Sequence, residues 1–582
     1  MDLYYEIYEK LLHVMKDANR LEIMSLNLLQ MRQKKLPNCI KLDYVYELLK
    51  EYKLLEILDG LEEAKNDAKS EEYRQQGNSY FSLKSQKYVE ALKAYNKSIC
   101  YAESQENLAI GLANRSAVLC ELKMFPECLE SIRLARAAGA PDRLREKLER
   151  REEKCQQEEL CEEEALIPKI EIPVNEKIPF LARCLSLKTN KQFGRYVITE
   201  KDIPAGTVIA MEEPFAKILI NSEKYLRCAN CLQEVPHLLM PCTSCTQTMF
   251  CSKVCQEEAQ RDFHHYECEI SRSLFEVFDQ ALLIVIRTVI KAFCAFPDPA
   301  TMAKEIEIMD KEQKTVFSFD WSGNVSSCER YTPIHTLATN ENLRGADDLF
   351  KKYTFGCLMY HILHGFSHKF RERFLTSHAA ENTVKNLIFR HLQTASTNMH
   401  SIHVIEDTAN PDSSTDFGVA AYAFHSLVNH SCSPNVTRIS VGAVSAMITI
   451  KNIKAGEQVL DNYGYHHSLM ERHMRQKETK RRYHFVCQCT ACQKDYPLYS
   501  ALSMPINIPE PLPLHNQTRK FQYSREFAEK GFKKVVDFIR EFSHLYPIMQ
   551  LCCAEEGLKF CFNILCGKIP LHLREQLQKI PK

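Results

Sequence analysis

Asn-His-Ser-Cys-Ser-Pro-Asn at residues 429–435 decides the reading of this chain, together with Asp-Asn-Tyr-Gly-Tyr at 461–465 and Cys-Gln-Cys-Thr-Ala-Cys at 487–492. Taken singly, these are a polar turn, an aromatic turn and a metal knuckle. Asn429 alone reads as a cap, Tyr463 as a turn aromatic and Phe485 as core. The knuckle offers three thiols, and three cannot close a tetrahedron, so its fourth ligand has to come from elsewhere in the chain.

The whole chain sets the bounds. At 582 residues it is too long for one core, and ordinary domain sizes suggest several units. Lysine plus arginine equals aspartate plus glutamate at 75 each, a balance that argues against a dedicated nucleic-acid binder. With 17 glycines and one tryptophan, a helix-rich protein with one compact irregular region is expected. Residues 1–30 lack the basic and apolar regions of a secretory signal, so the 25 cysteines are expected to be reduced. Cysteines in pairs then mean metal before disulfide. The most apolar run, Ala281 to Phe296, is broken by Arg287 and Lys291 and reads as a buried helix rather than a membrane span.

Upstream of the central motif lie Cys228-x-x-Cys231, Cys242-x-x-Cys245, Cys251-x-x-x-Cys255 and His264-x-x-x-Cys268. Eight soft ligands in short chelating pairs match two tetrahedral zinc sites. A segment this short and this poor in apolar residues would not hold together without metal. His265 could replace His264, but only His264 keeps the four-residue spacing to Cys268.

Residues 1 to about 65 carry helical spacing, as at Leu48, Tyr52, Leu55 and Leu58. From Glu71 to Ala138 the chain repeats: Ala91, Tyr95 and Ser98 recur as Cys128, Ile132 and Ala135, each 37 residues on. Tyr73, Gly77 and Tyr80 supply the large, small and aromatic residues of a tetratricopeptide helix, with a long loop expected around Ser82 to Gln86. An ordinary helical bundle is the alternative. Two repeats need neighbours, and residues 1–65 and 142–165 are expected to cap them, Arg143 to Glu164 as a charged connector. After Pro168 the composition turns to strands, with a hairpin through Phe193–Ile198 and Ile203–Ile209. Leu282, Ile286, Ile290 and Phe293 mark one apolar face in a helical stretch from 270 to 400. Beyond Pro513, Phe521, Phe527, Phe532, Val536, Ile539 and Phe542 predict further helices.

The core motif, the finger ligands and the terminal knuckle together resemble the SET and MYND domain family of protein lysine methyltransferases, in its tetratricopeptide-bearing branch. The resemblance runs from about residue 70 to 495. It implies an α+β, multidomain chain: a β-rich SET fold split by a zinc-binding MYND finger and a helical insert, flanked by N-terminal tetratricopeptide helices and a helical C-terminal domain. The expected segments are N-terminal helices at 1–65, tetratricopeptide-like repeats at 66–165 and the first part of the SET fold at 170–227. The MYND finger follows at 228–268, the helical insert at 269–400, the SET core at 401–466, the post-SET zinc segment at 467–495 and C-terminal helices at 510–582.

The same resemblance pairs Cys228, Cys231, Cys251 and Cys255 on one zinc, and Cys242, Cys245, His264 and Cys268 on a second. Cys432, Cys487, Cys489 and Cys492 take a third. It implies S-adenosyl-L-methionine as cofactor, held by Lys191, Gln192, Phe193, Asn398, Asn429, His430, Tyr463 and Phe485, with Tyr331 and Asn340 as further candidates. Tyr463 and Tyr483 become the catalytic pair. Tyr463 places its hydroxyl at the transferring methyl, and Tyr483 lines the lysine channel. Pro434 and Asn435 shape a loop threaded in a pseudoknot. The family's Gly-x-Gly turn is incomplete here, since Gln192 stands at its first glycine and only Gly194 remains.

The expected partners are a protein with a target lysine, and peptides at the finger and the repeats, such as deacetylase or chaperone complexes. No membrane, no direct nucleic-acid binding, a monomer and a cytoplasmic and nuclear location are also expected. A weakly catalytic or non-catalytic adaptor is the alternative function, with Gln192 as its support.

Overall fold

The structure, a computed structural model, describes residues 2–18, 20–61, 63–157, 168–407, 410–506 and 525–566. Phe521 and residues 158–164 of the charged connector lie outside them.

Helices α1 (Leu3–Asp17), α2 (Leu21–Gln33) and α3 (Asn38–Glu51) open the chain. Tyr4, Ile7, Tyr8, Leu11 and Met15 recur every three or four residues and are the buried stripe of α1. The main contacts of α1 and α3 lie elsewhere than on the repeats, although Glu63 and Lys65 of the same segment bond to Tyr101 and the Cys100 carbonyl there. Helices α1 and α3 dock on the long helices Ala346–Gly365 and His378–Asn398. Their stripe meets a flat place there: a Cβ on Gly356 would stand 3.0 Å from Leu42. Lys385 Nζ pairs with Asp43 at 2.7 Å, and the Tyr4 hydroxyl donates to Asp279 at 2.8 Å.

The repeating segment forms antiparallel helices α4 (Asp67–Phe81), α5 (Tyr88–Tyr101), α6 (Gln105–Glu121) and α7 (Phe125–Ala137), followed by α8 (Arg145–Gln156). Asn66 and Ser104 cap α4 and α6, accepting from the backbone N–H three residues on. Small residues set the helix spacing, since a Cβ on Gly77 would fall 2.5 Å from the Tyr95 ring and one on Gly111 2.7 Å from Ile99.

The repeats lean on the cysteine-rich finger. Arg115, on α6, is completely buried and donates to Ser131 and Asn96, and to the carbonyls of Pro236 (3.0 Å) and Leu239 (2.8 Å). Asn96 donates to the carbonyls of Tyr225 and Pro236. Part of the repeat surface is therefore used inside the chain.

The β structure is assembled from distant pieces. Strands β1 (Leu185–Asn190) and β2 (Gly194–Thr199) form a hairpin. They are followed by β3 (Val208–Glu212) and β4 (Ala216–Leu219), and by β5 (Met240–Pro241) and β6 (Met249–Phe250), which pair inside the finger. The chain then runs through helices from Lys253 to Asn398 before β7 (His400–Asp407), β8 (Asn410–Ala421), β9 (Asn429–His430), β10 (Val436–Val441), β11 (Val444–Thr449) and β12 (Leu460–Asp461). The antiparallel orders are β10-β11-β3 and β4-β8-β7, so each sheet joins strands from both sides of the insertion. A mixed helix and sheet architecture split by a finger and a helical insert follows, as expected.

Helix Gln280–Cys294 is the insert's centre. Buried residues occupy nearly all its faces from Leu283 to Phe293, with Leu282 only half-buried, so the expected single face is a lower bound. Its Arg287 is buried and forks onto Glu267 at 2.5 and 2.6 Å. No single helix among the described residues is long and apolar enough to cross a membrane. Helices Arg525–Phe542 and Met549–Cys566 close the β3-β11-β10 sheet. A Cβ on Gly206 would meet Val536 at 2.6 Å, and Arg540 donates to the Ala205 carbonyl.

Candidate active site and metal centres

The three predicted ligand sets each converge. Cys228, Cys231, Cys251 and Cys255 form one group, Cys242, Cys245, His264 and Cys268 a second, and Cys432, Cys487, Cys489 and Cys492 a third. Thiolates at about 2.3 Å from a tetrahedral zinc stand about 3.8 Å apart, whereas a disulfide needs about 2 Å. The Sγ separations are 3.7 Å for Cys231–Cys251, 3.6 Å for Cys251–Cys255 and 3.7 Å for Cys242–Cys268. In the third group they are 3.8 Å for Cys432–Cys487 and 3.5 Å for Cys432–Cys492.

His264 Nε2 stands 3.3 Å from Cys242 Sγ, which decides between His264 and His265. Backbone N–H groups of Ser244, Cys251 and Cys432 point at Cys242, Cys228 and Cys489 sulfurs, a placement that favours thiolates. The donor sets and spacings fit zinc.

The third centre sits under the central motif. β9 and β12 run parallel, pairing Asn429 with Leu460 and His430 with Asp461. Asn435 locks the crossing: its amide donates to the Gln458 carbonyl and its oxygen accepts from Leu460 N–H, both at 2.8 Å. Arg438 ties Asp461 at 2.7 Å. Ser431, between Asn429 and the ligand Cys432, donates its N–H to the Asp461 carbonyl.

On this crossing the aromatic residues gather. The Tyr463 ring lies 4.8 Å from Tyr483 and 5.2 Å from His430, and His430 lies 6.1 Å from Phe485. Tyr463 Oη donates to the Val428 carbonyl at 2.8 Å, so its proton is committed and its lone pairs are what it offers. Tyr483 Oη makes only a long contact, 3.4 Å, to the Tyr463 carbonyl. His430 Nδ1 accepts from Tyr463 N–H, and burial pushes the imidazole down to about 4, keeping it neutral.

Asn429 joins the crossing to the β1–β2 turn. Its amide donates to the carbonyls of Phe193 (3.2 Å) and Arg195 (3.3 Å). The turn is stiffened by Asn190, whose side-chain oxygen accepts from the N–H groups of Gln192 and Phe193. Gly194 has φ of +64°, while Gln192 is not among the residues with positive φ, so a side chain there costs the turn nothing. Lys191, Gln192, Phe193 and Phe485 are exposed at its rim.

Asn398 stands beside the group. Its amide donates to the carbonyls of Ala338 and Thr394, and its own carbonyl accepts from Ser426. Tyr331 is excluded: it is wholly buried, with its hydroxyl between His391 (2.9 Å) and His335 (3.2 Å). Asn340 has a left-handed backbone, and its side chain makes no cap. Sequence reasoning missed Tyr465, although its motif was read. Tyr465 is 6% exposed, 6.4 Å from both His430 and Tyr483, and its hydroxyl has no partner among the described residues. An unpartnered buried hydroxyl next to His430 and Tyr483, which also neighbour the exposed Phe485, suits a bound polar-and-aromatic ligand.

Comparison with known proteins agrees with this geometry. The family model of the SET domain matches residues 194–464, the stretch that contains the parallel β9–β12 pair, so the site lies in a SET domain. Protein-lysine N-methyltransferase SMYD4 of Danio rerio is 24% identical over 502 residues, covering 74% of this chain and 66% of the relative. The Mus musculus protein of the same name is 24% identical over 536 residues, with 73% and 66% covered. Histone-lysine N-methyltransferase ASHR1 of Arabidopsis thaliana is 23% identical over 310 residues, with 53% and 55% covered. With its finger ligands and its SET domain match, the chain is similar to members of the SET and MYND domain family. It spans just under two thirds, 66%, of the length of the SMYD4 proteins it matches.

Proposed function

We infer that this chain is a protein-lysine N-methyltransferase that uses S-adenosyl-L-methionine, with three zinc ions holding its finger and its post-SET segment. The observation that carries the reading is the double hydrogen bond from Asn429 to the β1–β2 turn, made where the Tyr463, Tyr483 and Phe485 rings converge. The names of the relatives point the same way.

The cofactor supplies a methyl group on a sulfonium, already a good leaving group, so the protein's work is placement. Asn429 fixes the turn of Phe193 to Arg195, against which the amino-acid end would lie. Phe485 and Phe193 offer flat apolar faces for the base. Tyr463, its proton held by Val428, turns lone pairs toward the transfer site and accepts from donors there. Tyr463 and Tyr483 wall the entry of the lysine and exclude water, and a weakly polar wall lowers the ammonium's pKa toward the neutral, attacking form. Cys432, Cys487, Cys489 and Cys492 would hold the zinc that binds Phe485 and Val486 to the crossing. The adaptor alternative rests on Gln192, and that residue needs no left-handed backbone in the turn.

Calorimetric titration with S-adenosyl-L-methionine, followed by radiolabelled methyl transfer to lysine-bearing proteins, tests the reading. Absence of both binding and transfer in folded, zinc-loaded protein would overturn it.

A further inference from the structure

Three cysteines outside these centres also converge. Cys120 lies in the last turn of α6, Cys128 in the first turns of α7 and Cys155 in the last turn of α8. Their Sγ atoms all lie within 4.8 Å of one another. The residues are 4%, 0% and 1% exposed. They are not bonded to one another as disulfides.

The helix that carries Cys155 raises the question of what holds it. Among the twelve residues of α8 only Leu148 and Cys155 are buried. Burying one leucine contributes about 2 kcal/mol, well short of the cost of ordering a helix at about 1–2 kcal/mol per residue. Arg151 adds bonds to the Ala113 carbonyl (3.0 Å) and Ser116 hydroxyl (2.6 Å), and Arg136 pairs with Glu152 at the surface. The second buried side chain meets two thiols on two other helices, an arrangement that ordinary core packing does not require.

Two cations lie by the group: Arg151 bonds to the Ser116 hydroxyl, and Lys154 pairs with Glu121, the residue next to Cys120, at 3.6 Å. The bond between Cys120 and Cys128 lowers the first thiol, helped by the charge of Lys154, and raises the second. Lys154 in turn is raised, with Cys120 as the largest cause. Arg151 acts in the same direction on Cys155, although burial raises that thiol overall.

We propose that Cys120, Cys128 and Cys155 form a fourth metal centre, a three-thiolate site for a thiophilic ion, zinc or cuprous copper, that staples α8 onto α6 and α7. Each thiol releases its proton to solvent as its Sγ–metal bond forms, and Cys128 gives up its present bond to the Ser116 carbonyl, 3.1 Å away. No histidine or carboxylate joins the group among the described residues. A trigonal cuprous ion needs no more, and zinc would complete its tetrahedron with a water. Lys154 and Arg151 offset the surplus negative charge. The site lies on the repeats, apart from the finger and the crossing, so it does not depend on the methyltransferase reading.

The test is metal analysis of the full chain, purified without oxygen and loaded either with zinc alone or with cuprous ion as its acetonitrile complex. Wild type should hold one equivalent more than Cys155→Ser under at least one of the two ions, and that arm identifies the metal. Cys155→Ser removes one sulfur at the end of the last described helix of the repeats and leaves α4–α7 packed; Cys120→Ser is the second variant and should lose the same equivalent. Tryptic cleavage within Arg145–Gln156 should slow on loading in wild type alone. Equal metal content in wild type and both variants under both ions would overturn the proposal, and so would a disulfide between two of the three cysteines in the unoxidised protein.

Discussion

The side-chain amide of Asn429 lies 3.2 Å from the carbonyl oxygen of Phe193, across 236 residues of chain. One amide thus joins the first hairpin of the SET domain to its last crossing. Asn429→Ala removes two hydrogen bonds at the turn, worth together about 1–3 kcal/mol. Affinity for S-adenosyl-L-methionine should fall about ten- to a hundredfold by calorimetry, while the finger and the repeats keep their metal and their fold.

Tyr463→Phe keeps the ring against Tyr483 and His430 and removes an oxygen whose proton is held by Val428. Cofactor affinity should hardly move, and methyl transfer should fall about a hundred- to a thousandfold, the range seen when one polar group at a reacting centre is lost. Transfer at the wild-type rate would place the reaction elsewhere.

Metal removal should act in two places. Cys487→Ser breaks the set that includes Cys432 and should cost one equivalent of zinc and most cofactor affinity, since Phe485 and Val486 lie next to that ligand. Cys245→Ser breaks the second finger set, and because Arg115 and Asn96 bond to the finger's backbone, it should loosen the repeats as well. Limited proteolysis with metal analysis separates the two.

Arg115→Leu leaves the Leu239 carbonyl and the Asn96 side-chain oxygen without their buried donor, and takes one of two donors from the Pro236 carbonyl. A loss of about 2–4 kcal/mol in stability is expected, read as a lower thermal midpoint. Arg133→Leu, on the exposed face of α7 and paired with Glu130, should change stability by no more than about 0.5 kcal/mol.

The Tyr331–His335–His391 cluster predicts a pH dependence. Burial holds His391 well below its ordinary value, and His335 and Arg390 push the same way. Below about pH 6.5 the unfolded chain binds a proton that folded His391 refuses, so its contribution to stability falls as pH falls, by up to about 1.4 kcal/mol per unit. His391→Gln should therefore show a shallower loss of thermal midpoint between pH 7 and pH 5 than wild type.

The sequence by itself determined which residues are metal ligands, while their sharing between ions and the threaded loop came with the family resemblance. Cys228 through Cys268 and Cys487 through Cys492 are spaced by what a chelate ring allows, and that constraint is local enough to be written in the order of residues. The Asn429 and Tyr463 motifs were legible for a related reason, because a threaded turn tolerates few side chains. What only the tertiary structure decided depends on shape over longer distances. The buried face of α3 would fit many apolar faces, and its Leu42 met the insert at Gly356 rather than the repeats at Gly77. Tyr331 looked like a cleft residue until burial put its hydroxyl between two histidines. Tyr465 remained one aromatic among several until its hydroxyl was found without a partner. Cys120, Cys128 and Cys155 have no chelating spacing at all, and only the packing of three helices brings their sulfurs together.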